Sequence, residues 1–319
     1  MLFSFKNQNN IINQVNIQYP KCKLCKPIIS HSSQSSSKDL VLLFATDRYN
    51  RIEILARSLR SVGCLARIVV LVPLNANITQ DLTDCGIEFV KIASVSSRLQ
   101  RSPHKMRWEW YYQYLQEHLN EFDRILHTDA FDTYAQYDPF SNNIKNDTLY
   151  AISEDRPIKE CIFNTKWLNS CYNNTVLEEL SEKSILCSGT VIGGARQFMK
   201  LVETMVDRVG WDDCWTKAHD QPVFTYVIYN ELIDSLKIEF LGCNSEFATM
   251  NYCYSEKKTL FYNDKLLKPN LIGYPSFVHQ YNRYPEVDDH FQKNCNIRID
   301  RAKEKKSKNS VNNLNAQIR

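Results

Sequence analysis

Two aspartates three residues apart, Asp129 and Asp132, follow a short apolar run, Arg124 to Thr128 (Arg-Ile-Leu-His-Thr). Asp138-Pro139-Phe140 closes the segment with a turn. Carboxylates just past the carboxyl end of a strand lie where open α/β sheets bind ligands. A close pair of them suits a hard divalent cation, and such a cation can hold a diphosphate. The same two acids also fit a helix cap and a solvated surface group. Four further features carry chemistry. Arg107 sits in the helical stretch ahead of the acid-bearing strand, as a surface arginine or a diphosphate clamp. Ser188-Gly189 lies in a β-rich run, Ser184 to Gly194, that holds three of the chain's eight glycines. Such a cluster marks a bulge or a close backbone approach to something bound. Asp220-Gln221 opens a helix, with Asp220 as a cap or a functional carboxylate. His279 stands in a short apolar run, as a core histidine or a ligand.

Regular elements must position these groups. Asp39 to Ala45 is a near-continuous apolar run, as expected of a strand buried on both faces. Ala66 to Val72 and Ile87 to Ile92 repeat it, with helical periodicity between, over Arg51 to Val62 and Thr79 to Cys85. Strand, helix, strand, helix, strand predicts a parallel sheet with right-handed crossovers. The first strand–helix loop has neither GxGxxG nor a Walker lysine. Thr46 and Asp47 at the end of the first strand are then the natural contacts for a base or ribose. Ser102 to Leu119 reads as a long helix. Beyond Phe140 the alternation weakens. Leu149 to Ser153 reads as a strand, Ile158 to Thr175 as loop, Leu177 to Lys183 as helix and Ala195 to Val209 as an amphipathic helix. Leu236 to Gly242 and Phe247 to Tyr254 read as strands. No internal repeat is visible.

The chain of 319 residues is 43% hydrophobic and 24% charged, enough to bury a sizeable core. Residues 1–37 are rich in Asn, Gln, Ser and Lys and read as a flexible arm. Residues 299–319 read as a basic, disordered tail. The net charge of +3 lies partly in Arg298 to Lys308, which leaves the rest close to neutral and argues against nucleic acid as a partner. Eleven cysteines include one CxxC, Cys22 to Cys25, with no second CxxC to complete a zinc array. Cys161/Cys171 and Cys243/Cys253 are candidate disulfides. Cys64, Cys85 and Cys187, inside apolar elements, read as buried thiols. Sequons at Asn77, Asn146 and Asn173 and the cysteine-rich loops lean towards a secretory lumen. Residues 1–38 hold no apolar run long enough for a signal peptide or anchor, so either the protein is cytosolic or its start is missing.

The order of motifs resembles GT-A-fold glycosyltransferases, in particular family 8, and related nucleotide-diphospho-sugar transferases that read Leu-Asp-x-x-Asp-x-x-Phe-Gln-x-Asp-Pro-Phe. The likeness covers residues 39 to 285 and rests on short motifs in order. It implies an α/β GT-A fold with a single mixed central sheet flanked by helices. One domain would span 38–298, with a nucleotide-binding half at 38–150 and an acceptor half at 151–298. It implies transfer of a sugar from a nucleotide sugar, a UDP-sugar foremost, to a hydroxyl of a glycan, protein or lipid. By resemblance, Asp129 and Asp132 form the acid pair, Asp132 nearer the metal and Asp129 nearer the ribose, and His279 completes the metal site. Thr46 and Asp47 hold the base and ribose. Arg107 is the basic residue of the helix before the acid pair. Ser188 and Gly189 line the sugar pocket, and Asp220 and Gln221 contact the transferred sugar. The pair is spaced Asp-x-x-Asp rather than Asp-x-Asp, which leaves open which carboxylate binds metal. Gln280-Tyr281-Asn282-Arg283 replaces the glycine- and lysine-bearing segment of family 8, and Arg283 is the substitute cation. Two carboxylates and an imidazole suit Mn²⁺ better than Mg²⁺. The absence of an obvious carboxylate base leans towards retention. The alternatives are a non-catalytic relative acting as a binding or scaffolding protein, and a redox or zinc protein built on Cys22 and Cys25.

Overall fold

The computed structural model describes residues 18–27, 34–46, 49–93, 103–208, 211, 214, 220–255 and 260–300. Asp47, and residues 301–319 of the basic tail, lie outside them. The strands are β1 Asp39–Phe44, β2 Arg67–Pro73, β3 Ile87–Ile92, β4 Arg124–Thr128, β5 Thr133–Ala135, β6 Leu149–Pro157, β7 Ser184–Gly194, β8 Ile238–Leu241, β9 Phe247–Thr249, β10 Phe261–Tyr262, β11 Lys265–Leu266 and β12 Phe277–His279. The helices are α1 Asn50–Ser61, α2 Pro103–His118, α3 Ile162–Cys171, α4 Asn174–Leu180, α5 Ala195–Val206, α6 Asp220–Tyr226, α7 Met250–Cys253 and α8 Pro285–Asn294. Among the described residues no helix is long and apolar enough to cross a membrane.

The protein is α/β, built on a seven-stranded mixed sheet in the order β3-β2-β1-β4-β7-β6-β8. The first four strands are mutually parallel where they pair, as the alternation of elements predicts. Leu40, Leu42, Val69 and Leu71 face one core beneath α2, α5 and α6. Val41, Leu43, Ile68, Val70 and Val72 face the other, beneath α1. Both alternating sets are apolar because helices cover both faces, which is why these strands read as continuous runs. β7 runs against both β4 and β6, and its register pairs Thr128 with Thr190. β6 contains residues on both sides of position 150, so one continuous sheet crosses the boundary between the expected halves.

A second, three-stranded sheet in the order β5-β12-β9 lies beyond the carboxyl end of β4. Its strands are three residues each; β9 and β12 fall in stretches that the sequence marks as strand, and β5 does not. α8 closes it, with Phe291 stacked on Tyr134 at 3.9 Å between ring centroids.

Several expectations are corrected. Residues 158–175 are mostly helical: the Cys161 side chain caps α3 by accepting from the Asn164 amide, and Asn173 caps α4. Their periodicity is obscured because Ile162 and Phe163 point outward, 76% and 60% exposed. Phe247 to Tyr254 is a strand of three residues that turns into α7. The described parts of residues 1–37 are not a loose arm. Tyr19 lies under the Arg60 guanidinium, the Ser35 hydroxyl donates to Asp138, and Cys22–Cys85 and Cys25–Cys295 are disulfides. Those two bridges leave Cys22 and Cys25 no thiolates for zinc or a dithiol couple, and they remove Cys85 from the buried thiols. Cys243–Cys253 pairs as expected, whereas Cys171 bonds Cys214, and Cys161, like Cys64 and Cys187, is a free buried thiol. Spacing is blind to these partners because α3 packs against α6, not back on its own loop.

Candidate metal centre and cleft

Three elements deliver the acid pair and the histidine. Asp129 is the first residue past β4, and its amide donates to the Gly189 carbonyl of β7 at 2.8 Å. The chain then turns, with the Thr133 hydroxyl donating back to the Asp129 carbonyl at 2.9 Å, and enters β5. β5 pairs antiparallel to β12 in the register Thr133 with His279. That register sets Asp132 beside the histidine, and the Gln280 amide donates to the Asp132 carbonyl at 2.8 Å from a left-handed residue, φ 64°. The extra residue between the acids therefore lets each one leave a different sheet and still converge.

His279 Nε2 lies 3.3 Å from Asp129 Oδ2 and 3.6 Å from Asp132 Oδ1. One ligand atom from each of the three residues falls within 4.8 Å of the others. A small divalent cation about 2.1 Å from two donors at right angles sets them about 3 Å apart, so the spacing fits such an ion. Two carboxylates and an imidazole suit a borderline divalent metal. Gly189 keeps the space open: a Cβ there would stand 2.6 Å from His279 Cε1 and 2.7 Å from Asp129 Oδ2. Cys187 Sγ lies 3.5 Å from His279 Nδ1, which leaves Nε2 to face the acids.

The charges explain the proton affinities. Burial would raise Asp129, but the Arg107 guanidinium and His279 hold it well below the usual carboxylate range. Asp132 is raised by burial, and the neighbouring Asp129 charge adds to that against His279. Burial would lower His279, but Cys187 and the two acids drive it well above its ordinary value. The two are raised for different reasons, Asp132 mainly by burial and His279 by Cys187 and the carboxylates.

Arg107 knits the other side. It bonds Asp129 and Asp220, its Nε donating to Asp220 Oδ2 at 3.1 Å, and a terminal nitrogen donates to the Ser188 carbonyl at 3.3 Å. The indole of Trp108 donates to the same Asp220 oxygen at 3.0 Å. Burial opposes ionisation of Asp220, yet Arg107 foremost keeps its carboxyl below the ordinary value. Gln221 is fixed by β7, accepting from the Ser188 amide at 3.0 Å and donating to the Leu186 carbonyl at 2.5 Å.

These groups border a cleft of about 360 Å³. Arg107, Asp129, Ser188, Gly189, Asp220 and Gln221 line it, and Asp132 and His279 complete the cluster around Asp129. Thr46 leaves the sheet at the same edge, since β1 and β4 are adjacent and parallel, but it does not line this cleft. Sequence reasoning missed Glu154, Asn251 and the α3 aromatics Phe163 and Trp167, all of which do. Glu154 was legible only as a lone acid just past the expected end of β6. No protein-family model and no curated protein matches the chain.

Proposed function

We propose that the protein is a metal-dependent glycosyltransferase, moving a sugar from a nucleotide-diphosphate sugar, a UDP-sugar foremost, to an acceptor hydroxyl. The observation that carries this reading is the convergence of Asp129, Asp132 and His279 at the edge of a cleft that also holds Arg107, Asp220 and Gln221. The GT-A resemblance assigns that same set, and the mixed central sheet is compatible with the fold it implies.

In the reaction the bond between the anomeric carbon and the diphosphate breaks, a bond to the acceptor oxygen forms, and the acceptor proton leaves. Negative charge grows on the departing diphosphate. Asp129, Asp132 and His279 would hold a divalent cation, Mn²⁺ by donor type, which supplies charge stabilisation to the leaving group. Arg107 keeps Asp129 and Asp220 ionised and fixed in direction. Asp220 and Gln221, anchored to Arg107 and β7, orient the sugar, and Asp220 offers negative charge to a developing oxocarbenium ion. Arg283, which lines the cleft and bonds Asn251, would be the cation that meets the donor's phosphates.

The test is a panel of nucleotide sugars scanned for Mn²⁺-dependent hydrolysis, with Asp132→Ala as control. Mn²⁺ and the matching nucleoside diphosphate should each raise the melting temperature, and more together than separately. Absence of any shift across uridine and guanosine diphosphates would sink the reading.

A further inference from the structure

The part of the cleft lined by α3 is built unlike the rest. Phe163 and Trp167, one helical turn apart on α3, have ring centroids 5.9 Å apart at an interplanar angle of 34° and both line the cleft. Phe163 is 60% exposed, so this ring is not placed there by the core. Facing into the same space is Glu154, whose residue is only 6% exposed. Its Oε2 accepts from Asn251 Nδ2 at 3.4 Å, and its Oε1 has no hydrogen-bond partner among the described residues. Asn251 is in turn held by Arg283. Asn164 and Gln221 add amides to the lining.

We infer that this part is an acceptor subsite for a pyranose ring, which lies on the Phe163–Trp167 shelf and directs a hydroxyl to Glu154. A pyranose presents one face of C–H groups, which suits the electron-rich face of an aromatic ring, and a rim of hydroxyls that donate and accept together. A carboxylate beside amides matches that rim, because the carboxylate accepts and the amides do both. An acyl chain would offer no donor to Glu154 Oε1. As the acceptor side of the transfer proposed above, this subsite rests on that reading, but its sugar affinity can be measured without donor or metal.

The experiment is saturation-transfer NMR on the full-length protein with methyl α- and β-pyranosides of gluco, galacto and manno configuration. N-acetylserinamide and octanol serve as controls. At least one pyranoside should take up saturation, strongest at the C–H groups of one face. Phe163→Ala and Trp167→Ala should each weaken its binding about ten-fold, with Trp167→Phe retaining most of it. Glu154→Gln should weaken it about five-fold. Circular dichroism and melting of each variant separate lost binding from lost fold. The subsite falls if no pyranoside binds, if a control binds in its place, or if Trp167→Ala and Phe163→Ala bind like the parent. Thermal shift of the unaltered protein by Mn²⁺ with UDP is read in parallel. No shift there, with shelf-dependent pyranoside binding intact, would overturn the transferase reading and leave a sugar-binding site; a shift without pyranoside binding would overturn the subsite alone.

Discussion

Arg107 and Asp220 come from helices more than a hundred residues apart in sequence and meet as a buried ion pair, with side chains 7% and 2% exposed. The same guanidinium bonds Asp129, so one cation holds Asp220 and Asp129 in a fixed relation. Removing one partner of such a pair strands a buried charge. Asp220→Ala should therefore cost about 3–5 kcal/mol in urea unfolding. Arg107→Met combined with Asp220→Leu should cost clearly less than the two single changes added together, because neither charge remains. Additive losses would show that the pair is not coupled as the geometry requires.

Gly189 makes a separate prediction. A methyl at this position would contact His279 Cε1 and Asp129 Oδ2 inside ordinary van der Waals distance. Gly189→Ala should weaken Mn²⁺ binding by roughly 10–100-fold, the range seen when support around metal ligands is disturbed. The fold should survive with a loss of about 1–3 kcal/mol for overpacking. Isothermal titration with Mn²⁺ reads the first effect and denaturant melting the second. An unchanged Mn²⁺ affinity would mean that the ion, if it binds, binds elsewhere.

What the sequence displays of this site follows from how each part is held. β1 and β2 were readable because helices cover both faces and force continuous apolar runs, and β3 and β4 as shorter apolar stretches beside them. Asp129 was readable as a carboxylate past the last of these. The meeting of Asp132 with His279 was reached only through resemblance, since it depends on a sheet whose strands are three residues long and carry no period. The α3 helix was hidden because Ile162 and Phe163 face outward, against the rule that apolar positions mark the core. The Cys22–Cys85 and Cys25–Cys295 bridges span 63 and 270 residues, so spacing gave no hint of them, whereas Cys243–Cys253, ten apart, was visible.

Glu154 predicts a pH effect with a definite sign. Burial raises its proton affinity, with the Asn251 hydrogen bond and the Arg283 charge opposing. A carboxyl whose folded-state value is raised binds more protons folded than unfolded. Its contribution to stability is complete below the ordinary carboxylate value and is lost as pH rises through the raised one. Glu154→Gln should thus be at least as stable as the parent at neutral pH and should flatten the decline between those two values. Near pH 4 the two proteins should converge. Urea melts across pH 4 to 8 measure this, and a variant that is less stable than the parent at pH 7 by the same margin as at pH 4 would refute a strained carboxylate.

The disulfides order themselves by the length of chain they close. Cys25–Cys295 ties the N-terminal segment to the end of α8 across 270 residues, and both cysteines are buried. Cys243–Cys253 closes a loop of separation 10. If bridges act by restricting the unfolded chain, paired serine substitutions should cost ~5 kcal/mol for the long bridge and ~3 kcal/mol for the short one. The remaining Cys22–Cys85 and Cys171–Cys214 bridges shorten the long path only modestly, and the dependence on length is logarithmic. The Cys25→Ser/Cys295→Ser protein should also show the larger fall in melting temperature, without a change in Mn²⁺ affinity, since neither cysteine adjoins Asp129, Asp132 or His279. A larger loss at the short bridge would mean that native packing around Cys243 and Cys253, rather than loop closure, sets the stabilisation.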